Sequence, residues 1–343
     1  MKDVQRQTRT HLLELFRQHG LNPRGDLGQN FLIDVNLIEF VVRHGDLRPE
    51  DVVLEVGTGT GGMTAFLAQD AGHVVSVDID RNMSALAAEA VRGCRNVTLV
   101  NEDILKNKNT LAPAVTALLR QHLAAIPGSR LKLVANLPYS VGTPVISNLL
   151  ASDLPWERMV CTIQWELAEK MSAEAGGRGY AALSVWVQSQ ATVRILRRLG
   201  PKVFWPRPKV DSAIVSIWRD DVAAARMTDR RFFQDFLRRL FSQRRKHIRG
   251  VLAGMYRRQL DKSHVDSLLN QLQMRGDERA ELMDPATLIQ LANGLRAFIA
   301  ESASAAGPLN AWADNDTADE DASEDSAESQ PEERDDETEE TEA

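Results

Sequence analysis

Cysteine is nearly absent from this chain of 343 residues, which contains only Cys94 and Cys161. Neither has a second cysteine or a histidine at metal-ligand spacing, which argues against a disulfide framework and a zinc site. The chain also lacks a run of about eighteen apolar residues, the length a membrane helix needs, and its first residues lack the apolar segment of a signal peptide. The sequence therefore predicts a cytoplasmic protein with no metal ion and no membrane contact.

Acidic residues are concentrated at one end of the chain. From Asp314 to the C-terminus there are sixteen acids and one base, so this tail carries −15 against a total of −7, and the remainder carries about +8. A basic body favours a polyanionic partner, because phosphates attract Lys and Arg. A solvated surface with an excess of bases is the alternative interpretation.

Strand and helix patterns alternate from residue 51 to about residue 163. Apolar runs such as Val52–Val56 and Leu131–Ala135 predict buried strands with helical segments between them. We therefore expect an α/β fold with a Rossmann-like parallel sheet, right-handed crossovers and a ligand crevice at the carboxyl ends of the strands. Further strands are predicted over 192–199 and 212–218, and from residue 228 the pattern is helical, including a helix over 244–256. The predicted division is a helical extension (1–26), an α/β domain (27–222), a small all-helical domain (228–302) and an acidic disordered tail (303–343).

A glycine-rich turn follows the first strand of the sheet. It lacks the Lys-Ser/Thr ending of a phosphate-binding loop, which argues against a nucleoside triphosphate. Glu55, Asp78 and Asp103 place carboxylates at or beside three strand ends, where they suit a ligand with a positive charge, ribose hydroxyls and an exocyclic amine. S-adenosylmethionine has all three features. Gly57 and Gly59 would let the backbone approach its methionine part, Asp78 would accept from the ribose and Asp103 from the adenine amine.

An NAD-dependent dehydrogenase is the competing interpretation of this crevice. Such enzymes also combine a glycine-rich turn with an acid after the second strand. A hydride-transfer enzyme, however, offers no role for the tetrapeptide that follows strand 131–135, and that tetrapeptide favours methyl transfer.

The tetrapeptide Asn136-Leu137-Pro138-Tyr139 contains the groups needed to bind an adenine amine. The side-chain oxygen of Asn136 and the backbone carbonyl of Leu137 can accept hydrogen bonds from the two N6–H groups, and Pro138 fixes the turn that directs them. Tyr139 can stack on a base that has left its own helix. The alternative is a strand-ending turn in which Tyr139 packs on the next helix.

Five sequence blocks occur in order along the chain. They are Leu27–Leu32, Leu54–Gly59, Asn136–Tyr139, Phe204–Ala213 and Phe241–Lys246. Together they resemble the ribosomal RNA adenine dimethylase family, and specifically its small-subunit (16S) rRNA dimethyladenosine transferase branch. The resemblance covers roughly residues 20 to 300.

The resemblance implies a function and a set of site residues. The expected reaction is transfer of methyl groups from S-adenosylmethionine to N6 of two adjacent adenosines in a 3′-end hairpin of small-subunit rRNA, during assembly of the 30S subunit. The resemblance implies a Rossmann-like methyltransferase domain followed by a small helical domain, and we expect a monomer. The cofactor-binding residues would be Asn30, Leu32, Gly57, Gly59, Asp78, Asp103 and Asn136. Phe204 would stack on the target base opposite Tyr139.

Several positions depart from the pattern of the family. Thr58 stands where proline is common, Asp78 where glutamate is common, Ser140-Val141-Gly142 where Asn-Ile-Ser is usual, and Trp165 where lysine is usual. The first two keep the chemistry of the cofactor site. The last two bear on affinity for RNA, since the change at Trp165 removes a positive charge.

Basic residues in two later segments are candidate RNA contacts. Arg244, Arg245 and Lys246, with Arg238, Arg239 and Arg249, form a basic face on the helical region, while Arg207 and Lys209 lie near the predicted cleft. A solvated helix surface is the alternative. Two other functions also remain open: an assembly factor that binds RNA with little catalysis, and a large-subunit rRNA adenine methylase.

Overall fold

The computed structural model describes residues 7–257 and 259–306. The helices are α1 (Arg9–Gln18), α2 (Val35–Gly45), α3 (Gly62–Asp70), α4 (Arg81–Ala90), α5 (Pro113–Ala125), α6 (Gly142–Ala151), α7 (Trp165–Ser172), α8 (Ala182–Gln188), α9 (Asp221–Ala224), α10 (Arg230–Phe241), α11 (Ile248–Met255), α12 (Lys262–Gln271) and α13 (Pro285–Ala306). The strands are β1 (Phe31–Leu32), β2 (Val52–Val56), β3 (His73–Asp78), β4 (Val97–Asn101), β5 (Leu105–Asn107), β6 (Thr110–Leu111), β7 (Leu131–Asn136), β8 (Trp156–Gln164), β9 (Ala191–Leu199), β10 (Phe204–Trp205) and β11 (Ser212–Arg219). Within these described residues, no helix is both long and apolar enough to cross a membrane.

A seven-stranded sheet forms the centre of the α/β region. Its strand order is β4-β3-β2-β7-β8-β11-β9, in which the first five strands are parallel. Strand β11 runs antiparallel to both β8 and β9, so β9 forms one edge of the sheet. The α/β prediction is confirmed, and the two strands predicted over 192–199 and 212–218 complete the sheet as an antiparallel extension.

The apolar runs form the central strands because both faces of the sheet are covered by helices. All five residues of β2 are buried, as expected for a parallel strand in the middle of a doubly covered sheet. Successive side chains point to opposite faces, so Val53 packs with Leu37 of α2, while Leu54 packs with Leu119 of α5. The carboxyl ends of the strands are left open between these layers.

Helix α1 and a short two-stranded ribbon cover one side of those carboxyl ends. Strand β1 pairs with β10 so that Phe31 lies opposite Trp205 and Leu32 opposite Phe204. The ring of Phe16 in α1 makes edge contacts with Phe31 and Trp205, at centroid distances of 5.4 and 5.1 Å. The N-terminal helix is therefore packed on the ribbon by an aromatic cluster.

Helices α10 to α13 form the helical region predicted from residue 228. Phe233 and Phe236 of α10 belong to the same buried cluster as Trp186 of α8, so the helical region shares a core with one face of the α/β region. The domain boundary between residues 222 and 228 stays a prediction.

Two predicted boundaries in the helical region need correction. The helix predicted over 244–256 begins only at Ile248, because the amides of Ile248 and Arg249 donate to the carbonyls of Glu278 and Gly276 on a neighbouring segment. Helix α13 also continues to Ala306, four residues into the segment predicted to be disordered. The remainder of that segment, 307–343, lies outside the described residues.

Candidate active site

A pocket opens at the carboxyl ends of β2, β3, β4 and β7. It is lined by residues of five segments, which are Asp26–Phe31, Val56 to Gly59, Val77 to Ile79 with Met83, Glu102 to Ile104, and Asn136 to Val141. The parallel strands bring these segments together, since their carboxyl ends lie side by side at one end of the strands. The predicted cofactor crevice and the tetrapeptide therefore share one pocket.

Glycine is required at several positions of the glycine-rich turn, and two of them, Gly57 and Gly59, border the pocket. Gly57 has φ +84°, and a Cβ there would lie 3.0 Å from Cδ of Pro138. Gly59 has φ +54°, and a Cβ there would lie 3.1 Å from the ring of Phe31. Because L-residues rarely adopt such φ values, both sites need glycine for conformation as well as for space. The turn therefore presents bare backbone to the pocket.

Asp78 lies at the end of β3, where the sequence places it, and faces the pocket. Its two carboxylate oxygens accept hydrogen bonds of 2.9 Å from the amides of Gly59 and Asp80. Burial raises the pKa of Asp78, and these two backbone donors act in the opposite direction. Each carboxylate oxygen has a second lone pair, so the pair of oxygens can still accept from a diol.

Asp103 forms part of another wall of the same pocket. Its side chain is exposed, and Oδ1 accepts from the amide of Leu105 at 2.9 Å. Ile79 and Ile104 line the pocket beside it. The wall thus combines apolar contact surface with a carboxylate, a combination that suits a flat aromatic ring with an amine.

The third predicted carboxylate, Glu55, is not part of this wall. Its side chain lies behind the glycine-rich turn and is only 2% exposed. Oε2 accepts from the hydroxyls of Thr64 and Ser76, both at 2.6 Å. Burial raises the pKa of Glu55 to about 7, so the carboxyl group is partly neutral near neutral pH. Glu55 supports the turn instead of facing a charged ligand.

The side chain of Asn136 is fixed in one orientation. Its Nδ2 donates to the backbone carbonyl of Asn30 at 2.8 Å. Because a carbonyl can only accept, this contact identifies the nitrogen and leaves Oδ1 as the other polar atom of the amide. Asn136 therefore offers an oriented acceptor at the pocket.

The rest of the tetrapeptide forms a turn into α6. The amide of Leu137 donates to the carbonyl of Thr162 at 3.2 Å, which ties the turn to β8. The carbonyl of Pro138 accepts from the amides of Val141 and Gly142 at 3.1 Å. Backbone contacts on both sides thus hold the peptide that carries the second predicted acceptor.

Tyr139 is held by its hydroxyl. The Tyr139 oxygen lies 2.6 Å from Oγ of Ser212, the first residue of β11. Burial raises the pKa of the phenol, so it is neutral at physiological pH. The ring lines the pocket, and its role in stacking on a base stays a prediction.

The structure places two residues implied by the family resemblance away from the pocket. Leu32 and Phe204 are opposite each other in the β1–β10 ribbon, and both side chains point into the core beside Ile38 and Ile214. Phe204 is 1% exposed, so its ring has no free face for a base in this conformation. Alternation along the ribbon turns Phe31 outward instead, and Phe31 lines the pocket.

The predicted basic face of the helical region is only partly neutralised by neighbouring acids. Arg238 and Arg239 pair with Asp235, and Arg249 forms two contacts with Asp266.

The predicted cluster at the start of α11 divides into one anchored residue and two free ones. Arg244 donates to the carbonyl of Tyr180 at 2.9 Å and lies 3.7 Å from Glu281. Among the described residues, Arg245 and Lys246 have no ion pair and are exposed. The same holds, within that part of the chain, for Arg207 and Lys209.

One contact of the glycine-rich turn could not be predicted from the sequence. Gln7, ahead of α1, is 7% exposed, and its Nε2 donates to the carbonyl of Thr60 at 2.9 Å. The hydroxyl of Thr60 donates to Oε1 of Gln7. No pattern in the sequence points to this contact, because residues 7 and 60 are brought together only by the packing of α1.

Comparisons with known proteins agree with the geometry of the site. A family model described as ribosomal RNA adenine dimethylase matches residues 20–291. The chain is 36% identical over 296 residues to a ribosomal RNA small subunit methyltransferase A of Pediococcus pentosaceus, covering 86% of this chain and 96% of that protein. It is 33% identical to a protein of the same name from Ligilactobacillus salivarius, covering 86% and 97%.

Two solved structures resemble the fold. A dimethyladenosine transferase from Plasmodium falciparum superposes with a TM-score of 0.65 at 23% identity, covering 77% of this chain and 97% of that one. The 23S rRNA methyltransferase ErmE superposes with a TM-score of 0.54, also at 23% identity, covering 78% and 99%. At this identity the likeness concerns the fold alone.

Proposed function

The chain belongs to the ribosomal RNA adenine dimethylase family, and from that premise we propose that its pocket methylates N6 of two adjacent adenosines in a 3′-end hairpin of small-subunit (16S) rRNA. The protein is an S-adenosylmethionine-dependent rRNA adenine methyltransferase. The observation that carries the assignment of the site is the oriented amide of Asn136, which lies in the same pocket as Asp78 and Tyr139.

The residues of the pocket fit S-adenosylmethionine. Gly57 and Gly59 present bare backbone to a methionine moiety, since the pocket has no room for a Cβ at either position. The carboxylate of Asp78 can accept from the ribose hydroxyls, and Asp103 can accept from the adenine amine of the cofactor. Asn30 closes the pocket above Asn136. When bound, the cofactor supplies an electrophilic methyl group.

The tetrapeptide acts on the amine of the target base. The lone pair of adenine N6 is delocalised into the ring, so the amine is a poor nucleophile until its nitrogen becomes pyramidal. In the first transfer Oδ1 of Asn136 and the carbonyl of Leu137 accept from the two N–H groups and stabilise that geometry. N6 loses one proton to water at each transfer, so a single N–H remains to be held in the second. Tyr139, whose hydroxyl is held by Ser212, stacks on the base and keeps N6 in line with the methyl group that it receives. Positioning and electrostatics therefore account for the catalysis.

An unpaired adenosine is the favoured target. Extracting a base from a helix costs a few kcal/mol, and the cost is lower in a loop. The free cations Arg207, Lys209, Arg245 and Lys246 would bind the surrounding phosphates, and Arg244 would act mainly by anchoring that segment. We place the reaction in the cytoplasm, on an assembling 30S particle, with the protein acting as a monomer.

One experiment tests this proposal. Undermethylated 30S particles would be incubated with the protein and with S-adenosylmethionine labelled in the methyl group, and modified nucleosides would be mapped by mass spectrometry. The expected product is N6,N6-dimethyladenosine at two adjacent positions of the 3′-end hairpin. Label only in large-subunit RNA, or no dimethyladenosine, would overturn the proposal. Binding of the particles without transfer would indicate an assembly factor.

A further inference from the structure

The edge strand β9 and the turn after it carry an unbalanced positive charge. Residues 191–210 include no acid and six bases, which are Arg194, Arg197, Arg198, Lys202, Arg207 and Lys209. All six are exposed. The proposed function uses only the last two, so the charge of the strand itself is unexplained by it.

A β-bulge turns two of these arginines to the same side of the sheet. In the β9–β11 register, Arg197 lies opposite Ile214, whereas Arg194 lies opposite Ser216, and the register shifts between Ile214 and Val215. Opposite residues in an antiparallel pair share a face, and residues two apart on one strand share a face. Arg194 and Arg197 are three residues apart and would otherwise point to opposite faces. Bulges at sheet edges and beside active sites often redirect side chains in this way.

The arginines of β9 differ in how far their charge is compensated. Arg198 is paired with Asp211 at 2.7 Å and stacks on Trp165, 4.5 Å from the ring centroid. Arg194 lies 5.4 Å from the centroid of Trp218, a contact that orients the guanidinium and leaves its charge in place.

Arg197 and Lys202 are as unconstrained as Arg207 and Lys209. Neither has an ion pair or a side-chain hydrogen bond within the described part of the chain. With Arg194 they form what we call the edge band, a set of three uncompensated cations.

The edge band leads to the catalytic pocket. Leu199, the last residue of β9, lies opposite Ser212, whose hydroxyl holds Tyr139. Arg197 and Arg194 lie opposite Ile214 and Ser216, which are two and four residues beyond Ser212 in β11. At a strand rise of about 3.3 Å per residue, their distances from Ser212 along the strand are about 7 and about 13 Å. Lys202 follows in the turn toward Arg207 and Lys209. The cations thus form a line that ends beside the base-stacking tyrosine.

We infer that the edge band binds the phosphate backbone of the RNA segment next to the methylated adenosines, as a contact separate from Arg245 and Lys246. The inference rests on the proposed function for the identity of the RNA. Within residues 191–210 Val210 is the only exposed large apolar side chain, and a single such residue does not make the apolar centre of a protein interface. A row of uncompensated cations suits phosphates, which are contacted mainly by Arg and Lys.

The test compares two variants from which the same charge has been removed. Arg197→Gln plus Lys202→Gln neutralises two members of the band. Arg92→Gln plus Arg95→Gln is the control, because both residues are exposed, neither has an ion pair in the described structure, and they lie between α4 and β4 at the opposite edge of the sheet. Binding of each protein to the 3′-end hairpin of small-subunit rRNA would be measured over a range of salt concentrations.

The expected result is a shallower salt dependence for the band variant alone. Losing two phosphate contacts reduces the slope of log K against log salt by about 1.4 to 1.8, while the control keeps the wild-type slope. Affinity for S-adenosylmethionine should be unchanged in both variants, which shows that the fold is intact. Equal slopes for the two variants would overturn the inference.

Methyl transfer measured on the same proteins separates this inference from the proposed function. If the wild type methylates the RNA and the slopes are equal, the edge band is wrong and the function stands. If the salt slopes of the two variants differ but no adenosine is methylated, the edge band binds RNA as inferred and the proposed function is wrong. If the wild type binds neither the hairpin nor undermethylated 30S particles, both are wrong.

Discussion

The side-chain amide of Gln7 binds both polar groups of Thr60, donating to its carbonyl at 2.9 Å and accepting from its hydroxyl. Thr60 belongs to the turn that carries Gly57 and Gly59. A residue ahead of the first helix therefore holds the glycine-rich turn without lining the pocket, and its role can be separated from that of the residues that would touch the cofactor.

Replacing Gln7 by alanine should weaken cofactor binding without abolishing it. The change leaves the Thr60 carbonyl without its partner in a poorly hydrated site, at a cost of about 1–3 kcal/mol that loosens the turn. We expect the dissociation constant for S-adenosylmethionine, measured by calorimetry, to rise by about 5- to 150-fold, since each ~1.4 kcal/mol is a factor of ten. Gln18→Ala is the matched control, because Gln18 is exposed on α1 and, among the residues that the structure describes, its side chain bonds only to Glu14. Equal affinities of the two variants would refute the role of Gln7.

Asn136→Ala tests the proposed acceptor directly. Loss of one preorganised polar contact in an active site typically lowers kcat by about 100-fold or more, and we expect a loss of that size in single-turnover methyl transfer. RNA affinity should change little, because the cationic contacts remain. Asn109→Ala, in an exposed turn between β5 and β6, serves as control. Full activity of the Asn136 variant would exclude the mechanism even within the same family.

Glu55 should make stability depend on pH in a direction opposite to that of most carboxylates. Its pKa is about 7 in the folded protein against 4.5 for the free side chain, because burial disfavours the charged form. The folded state therefore binds more protons than the unfolded state between these values, and stability falls as pH rises through this window.

Glu55→Gln removes this titration while keeping an oxygen that can accept from Thr64 and Ser76. We expect the variant to be more stable than the wild type by on the order of 2–3 kcal/mol at about pH 8, with the difference shrinking toward about pH 4.5, as measured by urea unfolding. Glu174→Gln, at an exposed position, should show no such pH-dependent difference. A Glu55 variant that is less stable at the higher pH would contradict the assignment.

Arg245→Ala plus Lys246→Ala should weaken RNA binding and flatten its salt dependence. Both side chains are exposed, and in the described structure neither has an ion pair, so their charge is available to phosphates. We expect the log–log salt slope to fall by about 1.4 to 1.8, with cofactor affinity unchanged. The pair Arg92→Ala and Arg95→Ala gives the control for net charge. An unaltered slope would remove these two residues from the RNA interface.

Local patterns predicted the sheet and the residues at its carboxyl ends. Apolar runs such as Val52–Val56 identify buried strands. The residue that follows each run must lie at the carboxyl end of its strand, where ligands bind. Asp78, Asp103 and Asn136 could be placed at a common pocket for this reason alone. The same reasoning misplaced Glu55, because the last residues of a strand alternate between the pocket side and the buried side.

Contacts between distant segments could not be predicted. The contact of Gln7 with Thr60 depends on how α1 packs against Phe31 and Trp205, and no periodicity encodes it. The burial of Phe204 depends on the pairing of two-residue strands, which are too short to leave a pattern. The neutralisation of Arg238 and Arg249 by acids likewise depends on helix packing and not on composition.

Gly57 of the glycine-rich turn lies beside Pro138 of the tetrapeptide, since a Cβ built at Gly57 would be 3.0 Å from Cδ of Pro138. A bound cofactor that pushed the turn far enough toward the tetrapeptide would therefore also displace Pro138 and, with it, the acceptors for the base. Thermodynamic linkage makes such an effect reciprocal. A base held at Tyr139 must alter the affinity for the methyl donor by the same factor by which the donor alters affinity for the base.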